Sequence, residues 1–231
     1  MRIACIIYHK NIDRYPKRWV DKCISSIQNQ TYKNFDVFEL DYGDSKTQIY
    51  PTSRFISLNF NNHAEAHNYL LDLVFSIGYD YAFNTNIDDY YAFNRFEKQI
   101  AFAKQQCYDV ISSNFYNVDE NDNIKDEMIM HDKNIIEESG KKHNIIAHPV
   151  LCYSKSFWHS CSKLWGHQIP VDDFELWKRS YEKYKFIILP DFLLYYRIHS
   201  GKASASHTTA HSNASVFKTE EEKRIHDKKR E

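Results

Sequence analysis

Residues 79–89, YDYAFNTNIDD, decide the fold, because a short apolar run there leads into two adjacent carboxylates. The run at residues 79–84 has the length and residue types of a buried strand, and Asp88 and Asp89 follow it. In open α/β sheets, ligands bind beyond the carboxyl ends of the strands. We therefore predict that this strand delivers an acidic pair to a binding site. The alternative is that both acids are turn residues that fix a strand-to-helix connection.

On the N-terminal side of this segment, short apolar runs alternate with amphipathic stretches. Strands are predicted at residues 2–8, 35–40, 54–59 and 79–84, and helices at residues 17–30 and 65–75. Such alternation is typical of strands joined by crossover helices. It predicts an α/β fold with a mostly parallel central sheet and flanking helices.

Composition limits the classes of function. A chain of 231 residues is long enough for one well-buried α/β domain and short for two. The formal net charge of -1 provides no basic field of the kind that binds nucleic acid. The five cysteines form no CxxC motif, and the first apolar run is too short for a signal peptide, which favours a cytoplasmic location.

The apolar runs of the sequence are also too short to cross a membrane. The most apolar stretch, at residues 186–196, is interrupted by Pro190 and Asp191 and falls short of the ~20 residues that a spanning helix needs. We therefore expect no transmembrane segment, while peripheral membrane association and the oligomeric state stay open.

A second acidic pair, Asp172 and Asp173, opens a segment whose apolar residues recur at helical spacing. Either acid could cap this helix. Helix amides and the helix dipole also favour an ionised carboxylate, which is the form that a general base must have. Capping and proton acceptance are therefore compatible at this position.

Arg197 and His199 follow another strand-like run at residues 192–196. A neutral imidazole can ligate a transition metal, although lone histidines more often form ordinary hydrogen bonds. The planar guanidinium of Arg197 suits phosphate oxygens, but at a strand end it could equally be solvated.

Six fragments stand in a fixed order along the chain: IACIIYHKN, CISSIQNQTYKNFDVFELDYGDS, AEAHNYLLD, TNIDD, VDDFELWKR and YYRIHSGKAS. Together they resemble the GT-A fold glycosyltransferases of family 2, from Ile3 to about Ser204. The resemblance implies a GT-A domain over residues 1–204. Residues 205–231 lack a core pattern and are predicted to be a polar linker followed by a charged helix or disordered tail.

The resemblance implies an inverting, metal-dependent glycosyltransferase of the hexosyltransferase type. Its donor is a nucleotide sugar, with a UDP-sugar expected, and its acceptor is a hydroxyl of a glycan, protein or lipid. Asp173 matches the general base and Asp172 the acid beside it, although the two could be exchanged. Asp88 with His199 is expected to hold Mn²⁺ or Mg²⁺ on the donor diphosphate, whose developing charge a cation would meet.

The implied donor-binding residues lie at strand ends or in the segments that follow them: Tyr8, His9, Asp41, Asn68, Asn86, Asp89 and Arg197. In this interpretation the ring of Tyr8 stacks on the base and Asp41 contacts it, while Asp89 orients its loop or contacts sugar hydroxyls. Ordinary packing explains Tyr8 equally well, and a strand-ending turn explains Asp41.

The sequence departs from the family pattern at three positions. Asn86 replaces the first carboxylate of the D-x-D motif, Tyr42 replaces the second Asp of D-D-G-S, and His67 replaces the Arg of A-R-N. An amide oxygen brings no charge to a cation, so Asn86 is expected to weaken metal binding. These changes leave open a catalytically silent nucleotide- or sugar-binding module. A sugar nucleotidyltransferase is disfavoured, because residues 7–18 contain no glycine-rich loop.

Regular patterning fades over residues 114–148. Residues 117–127 are predicted to form a polar hairpin or loop, and residues 134–144 a short helix. Acceptor loops of the resembled family lie in this stretch. Trp158 and Trp165 could stack on sugar faces, with burial in the core as the default for both.

Overall fold

The computed structural model of the chain describes residues 1–130, 146–161, 172–180 and 183–200. Nine strands of these residues belong to one sheet: β1 (Ile3–His9), β2 (Asp36–Asp41), β3 (Arg54–Ser57), β4 (Tyr81–Thr85), β5 (Tyr90–Tyr91), β6 (Val110–Val118), β7 (Ile124–Met128), β8 (Cys152–Ser154) and β9 (Phe186–Arg197). The α-helices of the same residues are α1 (Lys17–Gln28), α2 (His63–Ser76), α3 (Arg95–Gln106), α4 (Lys155–Ser160) and α5 (Asp172–Ser180).

The strands are arranged in the order β3-β2-β1-β4-β8-β6-β9-β5, with β7 paired to β6. Pairing is parallel among β3, β2, β1 and β4 and between β6 and β9, and antiparallel elsewhere in the described sheet. The predicted α/β class is confirmed. His9 lies opposite Asp41, and Ile7 lies opposite Thr85. The carboxyl ends of β1, β2 and β4 therefore meet at one edge of the sheet.

β1 is buried on both faces because its apolar side chains alternate between two helical layers. Ala4 and Ile6 pack in the core that contains the apolar face of α2, and Ile3, Cys5 and Ile7 pack in the core with α1 and α3. A near-continuous apolar run is expected for a parallel strand covered by helices on both sides. This central position fixes the site-bearing end of β1 within the sheet.

Side-chain caps set two helix boundaries that periodicity did not locate. α1 ends at Gln28, before the predicted residue 30, and Gln30 Nε2 donates to the carbonyls of Ser26 at 2.9 Å and Ala92 at 2.8 Å. α2 begins at His63, two residues before the predicted start, because Asn62 accepts a hydrogen bond from the backbone of Glu65.

The hairpin prediction for residues 117–127 is confirmed, since β6 and β7 are antiparallel and joined by a turn. The strand predicted at residues 192–196 is the second half of β9, which continues through Pro190. Asn114 Nδ2 donates to the carbonyl of Pro190 at 2.9 Å where the register of β6 and β9 shifts. Trp158 is buried, as expected, whereas Trp165 and residues 134–144 lie outside the described residues.

The chain divides into two compact units, Met1–Arg197 and Ile198–Glu231. The structure describes residues 198–200 of the second unit, so the predicted tail at residues 205–231 lies outside the described part. Within the described helices, none combines the length and apolar character that crossing a bilayer requires.

Candidate functional site

The loop after β4 is a tight turn held from two sides. The backbone amide of Asn86 donates to the hydroxyl of Tyr91 at 2.7 Å, and Cys23 Sγ donates to the carbonyl of Asn86 at 3.3 Å. Burial raises the pKa of the Tyr91 hydroxyl well above its ordinary value. The hydroxyl therefore stays neutral and keeps its proton, so it can accept from the amide of Asn86 and also donate to the carbonyl of Asn86 at 3.4 Å.

Asp88 and Asp89 leave this turn in different environments. Asp89 is fully buried, and its Oδ1 accepts a hydrogen bond from the backbone amide of Arg197 at 2.8 Å. The carbonyl of Asp88 accepts one from Arg197 Nε at 2.9 Å, while 8% of the residue stays exposed. Of the two roles predicted for Asp89, this geometry favours orientation of the loop. Asp88 is the acid nearer the surface.

Arg197 lies between this loop and the β6–β7 hairpin. Its guanidinium is fully buried, and NH1 donates to the carbonyl of Asp119 at 3.0 Å. NH2 is paired with Asp122 Oδ1 at 2.6 Å, and the ring of Trp19 lies 4.8 Å from the guanidinium carbon. The solvated alternative for Arg197 is therefore wrong. Direct contact of Arg197 with a phosphate stays a prediction.

Asp41 ends β2 and organises the segment that follows it. Its Oδ1 accepts from the backbone amide of Gly43 at 2.9 Å, and its Oδ2 accepts from Ser45 Oγ at 2.5 Å and from the amide of Thr47 at 3.0 Å. Burial opposes ionisation of Asp41, but these bonds outweigh it and lower its pKa. Asp41 therefore stabilises the turn that follows β2, while its contact with a nucleotide base stays a prediction.

His9 ends the neighbouring strand β1 and pairs with Glu39, a residue that the sequence reasoning missed. His9 Nε2 lies 3.1 Å from Glu39 Oε1, and both residues are buried. The carboxylate of Glu39 also accepts from the amides of Ile49 and Tyr50, at 2.6 and 2.9 Å, and from Ser53 Oγ at 2.7 Å. A carboxylate within an apolar strand was the sequence signal that could have revealed Glu39. Glu39 fastens residues 48–53 against the sheet.

A cluster of rings connects the end of β1 with that of β4. The half-buried ring of Tyr8 meets His67 edge-on at 5.4 Å, and His67 lies 5.1 Å from the ring of His148. Asn84 Nδ2, near the end of β4, lies 3.2 Å from His148 Nδ1. Tyr8 therefore packs against neighbouring rings, which is one of the two roles that the sequence left open; stacking on a base stays a prediction.

The same cluster joins helix α5 to this edge of the sheet. The ring of Trp177 lies 6.3 Å from that of His148, and Trp177 is buried. Asp173 is half-buried and lies one helical turn before Trp177. Because residues four apart share a helix face, the face of α5 that bears Asp173 is the one directed to the cluster. The predicted helix start at Asp172 is confirmed.

Three other residues were predicted for the site: Asn68, Asp172 and His199. Asn68 is half-buried on α2, next to His67. The side chain of Asp172 lies outside the described part of the structure. His199 belongs to the second compact unit, so its predicted metal role stays a prediction.

The acidic residues suit a cation that is shared with a bound diphosphate. Within the described residues, no group of three or more His, Cys, Asp and Glu side chains could hold a metal ion by itself. Mg²⁺, however, often binds through one or two carboxylates together with substrate phosphates and water. Asp88 lies at the carboxyl edge of the sheet and is 8% exposed. It therefore suits a cation that is shared with substrate phosphates and water.

The buried imidazole of His67 predicts a loss of stability in mild acid. Burial, followed by the nearby His148 and His63, holds the pKa of His67 well below its ordinary 6.5. Below pH 6.5 the unfolded chain binds a proton at this residue and the folded chain does not. The unfolding free energy should therefore fall by up to about 2 kcal/mol from pH 7 to pH 5 and recover on return. Urea unfolding at each pH measures this change.

The variant His67→Phe should reduce the pH dependence, whereas His159→Asn, at an exposed position, should keep it. An unchanged slope in His67→Phe would show that other groups cause the acid sensitivity.

Comparison with known proteins identifies the fold. No family model matches the chain, and no curated protein matches its sequence. The crystal structure of S. aureus TarS matches with a TM-score of 0.65 and 12% identity, over 87% of this chain and 37% of that one. The structure of S. aureus TarS 1-349 in complex with UDP-GlcNAc matches with a TM-score of 0.64 and 13% identity, over 89% of this chain and 61% of that one.

A third similar structure is the mannosyltransferase PcManGT from Pyrobaculum calidifontis in complex with GDP-Man and Mn²⁺. Its TM-score is 0.60 at 13% identity, over 89% of this chain and 59% of that one. These proteins are GT-A glycosyltransferases, so the GT-A fold predicted from the sequence is confirmed. The chain spans 37% to 61% of the length of the three structures.

Proposed function

We propose that the chain is an inverting, metal-dependent glycosyltransferase that moves a sugar from a nucleotide sugar to an acceptor hydroxyl. One observation carries this proposal: the carboxyl ends of β1, β2 and β4 place His9, Asp41 and the Asp88 loop at one edge of a GT-A sheet. The complexes of TarS with UDP-GlcNAc and of PcManGT with GDP-Man support a nucleotide-sugar donor.

The donor nucleotide is proposed to bind at the ends of β1 and β2. Tyr8, His9 and Asp41 are proposed to contact the nucleotide from the ends of these strands, and Asn68 and Asn86 to supply amide groups. The carboxylate of Asp41 orders the segment that follows β2, because it accepts hydrogen bonds from the backbone amides of Gly43 and Thr47. A UDP-sugar is the expected donor, in keeping with the UDP complex of TarS.

Asp88 is proposed to be the main protein ligand of the cation, and the predicted ligand role of His199, a residue of the second unit, stays a prediction. When bound, Mn²⁺ or Mg²⁺ would offset the negative charge that develops on the leaving diphosphate. Mn²⁺ is present in the PcManGT complex, which supports this requirement. Asp89 is proposed to orient the loop that carries Asp88, through its hydrogen bond with the backbone of Arg197. Because Asn86 brings no charge, cation binding should be weak until a diphosphate supplies further oxygens.

Asp173 is proposed to accept the proton of the acceptor hydroxyl as that oxygen attacks the anomeric carbon. A single displacement of this kind inverts the configuration of that carbon. Asp173 stands in the first turn of α5, and the buried ring of Trp177, one turn further on, holds this helix against the ring cluster. Asp172 is the alternative base. We further propose that residues 1–204 form the transferase domain and residues 205–231 a tail, in a cytoplasmic protein.

A panel of nucleotide sugars tests the proposal directly. A true donor should raise the melting temperature of the chain with Mn²⁺ present, because ligand that binds only the folded state stabilises it. The same donor should be slowly hydrolysed in the absence of an acceptor, and EDTA should suppress both effects. If no UDP- or GDP-sugar stabilises the chain with either Mn²⁺ or Mg²⁺, the proposed function is wrong.

A catalytically silent binding module of the same fold is the second candidate. It is favoured by Tyr42, which stands where the family has a carboxylate and whose pKa is raised to about 12 by burial, followed by Tyr15 and Asp41. This residue is therefore neutral at physiological pH. Stabilisation by a donor without any hydrolysis or transfer would favour this module over the enzyme.

A further inference from the structure

The buried side chain of Arg197 contacts both the turn of the β6–β7 hairpin and the loop that carries Asp88 and Asp89. Its Nε binds the carbonyl of Asp88 at 2.9 Å, and its backbone amide binds Asp89 Oδ1 at 2.8 Å. Its other end binds the carbonyl of Asp119 and the carboxylate of Asp122, at 3.0 and 2.6 Å. Both acids of the site loop therefore share one support with the hairpin.

Asp122 is the charged partner that holds the guanidinium. Its Oδ1 meets Arg197, and its Oδ2 meets Lys22 Nζ of α1 at 2.8 Å. Burial opposes ionisation of Asp122, but its pairing with the cationic side chains of Lys22 and Arg197 outweighs burial and lowers its pKa. A fully buried guanidinium without such a partner would be costly, so Arg197 depends on Asp122 for its position.

The turn that carries Asp122 is itself fixed. Asp119 Oδ1 accepts from the backbone amides of Asn121 and Asn123, both at 2.9 Å. The carbonyl of Glu120 accepts from Trp19 Nε1 of α1 at 3.0 Å. The turn is therefore held by its own hydrogen bonds and by α1, so the groups that contact Arg197 have fixed positions.

We propose that Asp122 is a positioning residue for the candidate site, which acts through Arg197 to hold the loop of Asp88 and Asp89. What the loop binds rests on the proposed function, whereas the mechanical link does not. The guanidinium fork serves as a structural clamp between the hairpin and the loop. A hairpin that the sequence identifies only as a polar turn thereby becomes part of the site.

The variant Asp122→Asn tests this link with little risk to folding. Asp122 has a left-handed backbone with φ of 69°, which Asn adopts readily, and the change removes one charge while keeping the shape. The matched control is Asp191→Asn. Asp191 pairs with Lys98, lies on the same strand as Arg197, and has a side chain 34% exposed against 32% for Asp122.

The first measurement is amide hydrogen exchange of the chain without ligand. Peptides over residues 86–91 should exchange about tenfold faster in Asp122→Asn. Loss of a single modest contact lowers the free energy of local opening by roughly the amount that gives a tenfold change in exchange rate. The control should exchange at the wild-type rate in the same peptides. Equal rates in Asp122→Asn and wild type would overturn the proposal.

The second measurement is calorimetric titration with UDP in the presence of Mn²⁺. Removal of a partner that orients a ligand-bearing loop should raise the Kd about tenfold, while the control keeps the wild-type Kd. Faster exchange with an unchanged Kd would overturn the positioning role. If the wild type binds no nucleotide at all, the proposed function fails, and the exchange comparison alone decides whether the clamp exists.

Discussion

The variant Asp173→Asn should transfer sugar about 10² to 10⁴ times more slowly than the wild type. The amide has nearly the shape of the carboxylate but cannot accept the proton of the acceptor hydroxyl at neutral pH. Donor binding should be unchanged, because Asp173 is proposed to act on the acceptor. Initial rates at saturating donor, together with calorimetric titration of UDP, separate the two effects.

Asp172→Asn is the matched control, since it removes the same charge from the adjacent position of the same helix start. It should keep transfer within a few-fold of the wild type. The opposite ranking of the two variants would exchange their roles. If neither variant slows transfer, the general base lies outside α5.

The variant Glu39→Ala should lower the unfolding free energy by about 3 to 5 kcal/mol, the cost of breaking a buried charged network by removing one partner. The carboxylate of Glu39 meets four donors, from His9, Ile49, Tyr50 and Ser53. Truncation leaves these groups buried without their acceptor and also opens a cavity. Urea unfolding at pH 7 measures the difference.

Glu127→Ala provides the control, because Glu127 lies on the exposed strand β7. Its effect should stay within about 0.5 kcal/mol. A loss below about 1 kcal/mol in Glu39→Ala would mean that the network contributes little to the folded state.

The parallel half of the fold could be predicted because its signal is local. β1, β2 and β4 are apolar runs of strand length, and α1 shows buried residues at helical spacing, including Trp19 and Ile27. Such patterns follow from burial of one helix face or of both strand faces. The acidic pair after β4 could be placed for the same reason.

The short strands could not be predicted from the sequence. β5 and β8 have two and three residues, which is too few for a periodic pattern. β9 contains Pro190, which usually argues against a strand, and the strand continues there with a shift of register. In each case pairing partners distant in the chain determine the structure.

The positions of the predicted acids at the ends of strands could be read from the sequence, whereas the contacts that support those acids could not. Asp88 and Asp89 were identified from their position after an apolar run, and Asp41 from the resemblance to the family pattern. The burial of Arg197 depends on contacts with Asp88, 109 positions away in the chain, and with the β6–β7 turn, so no local pattern reveals it. Glu39 was missed for the same reason, because its partners are assembled only by the fold.

Calorimetric titration of UDP into the wild type and into Asp88→Asn, with Mn²⁺ or with EDTA, tests the central claim most directly. The account predicts that Mn²⁺ tightens UDP binding in the wild type and that this gain is lost in Asp88→Asn. Asp21→Asn, which removes an exposed acid paired with Lys17, should retain the gain. An equal gain in Asp88→Asn, or no binding of UDP to the wild type, would contradict a cation-diphosphate site at the end of β4.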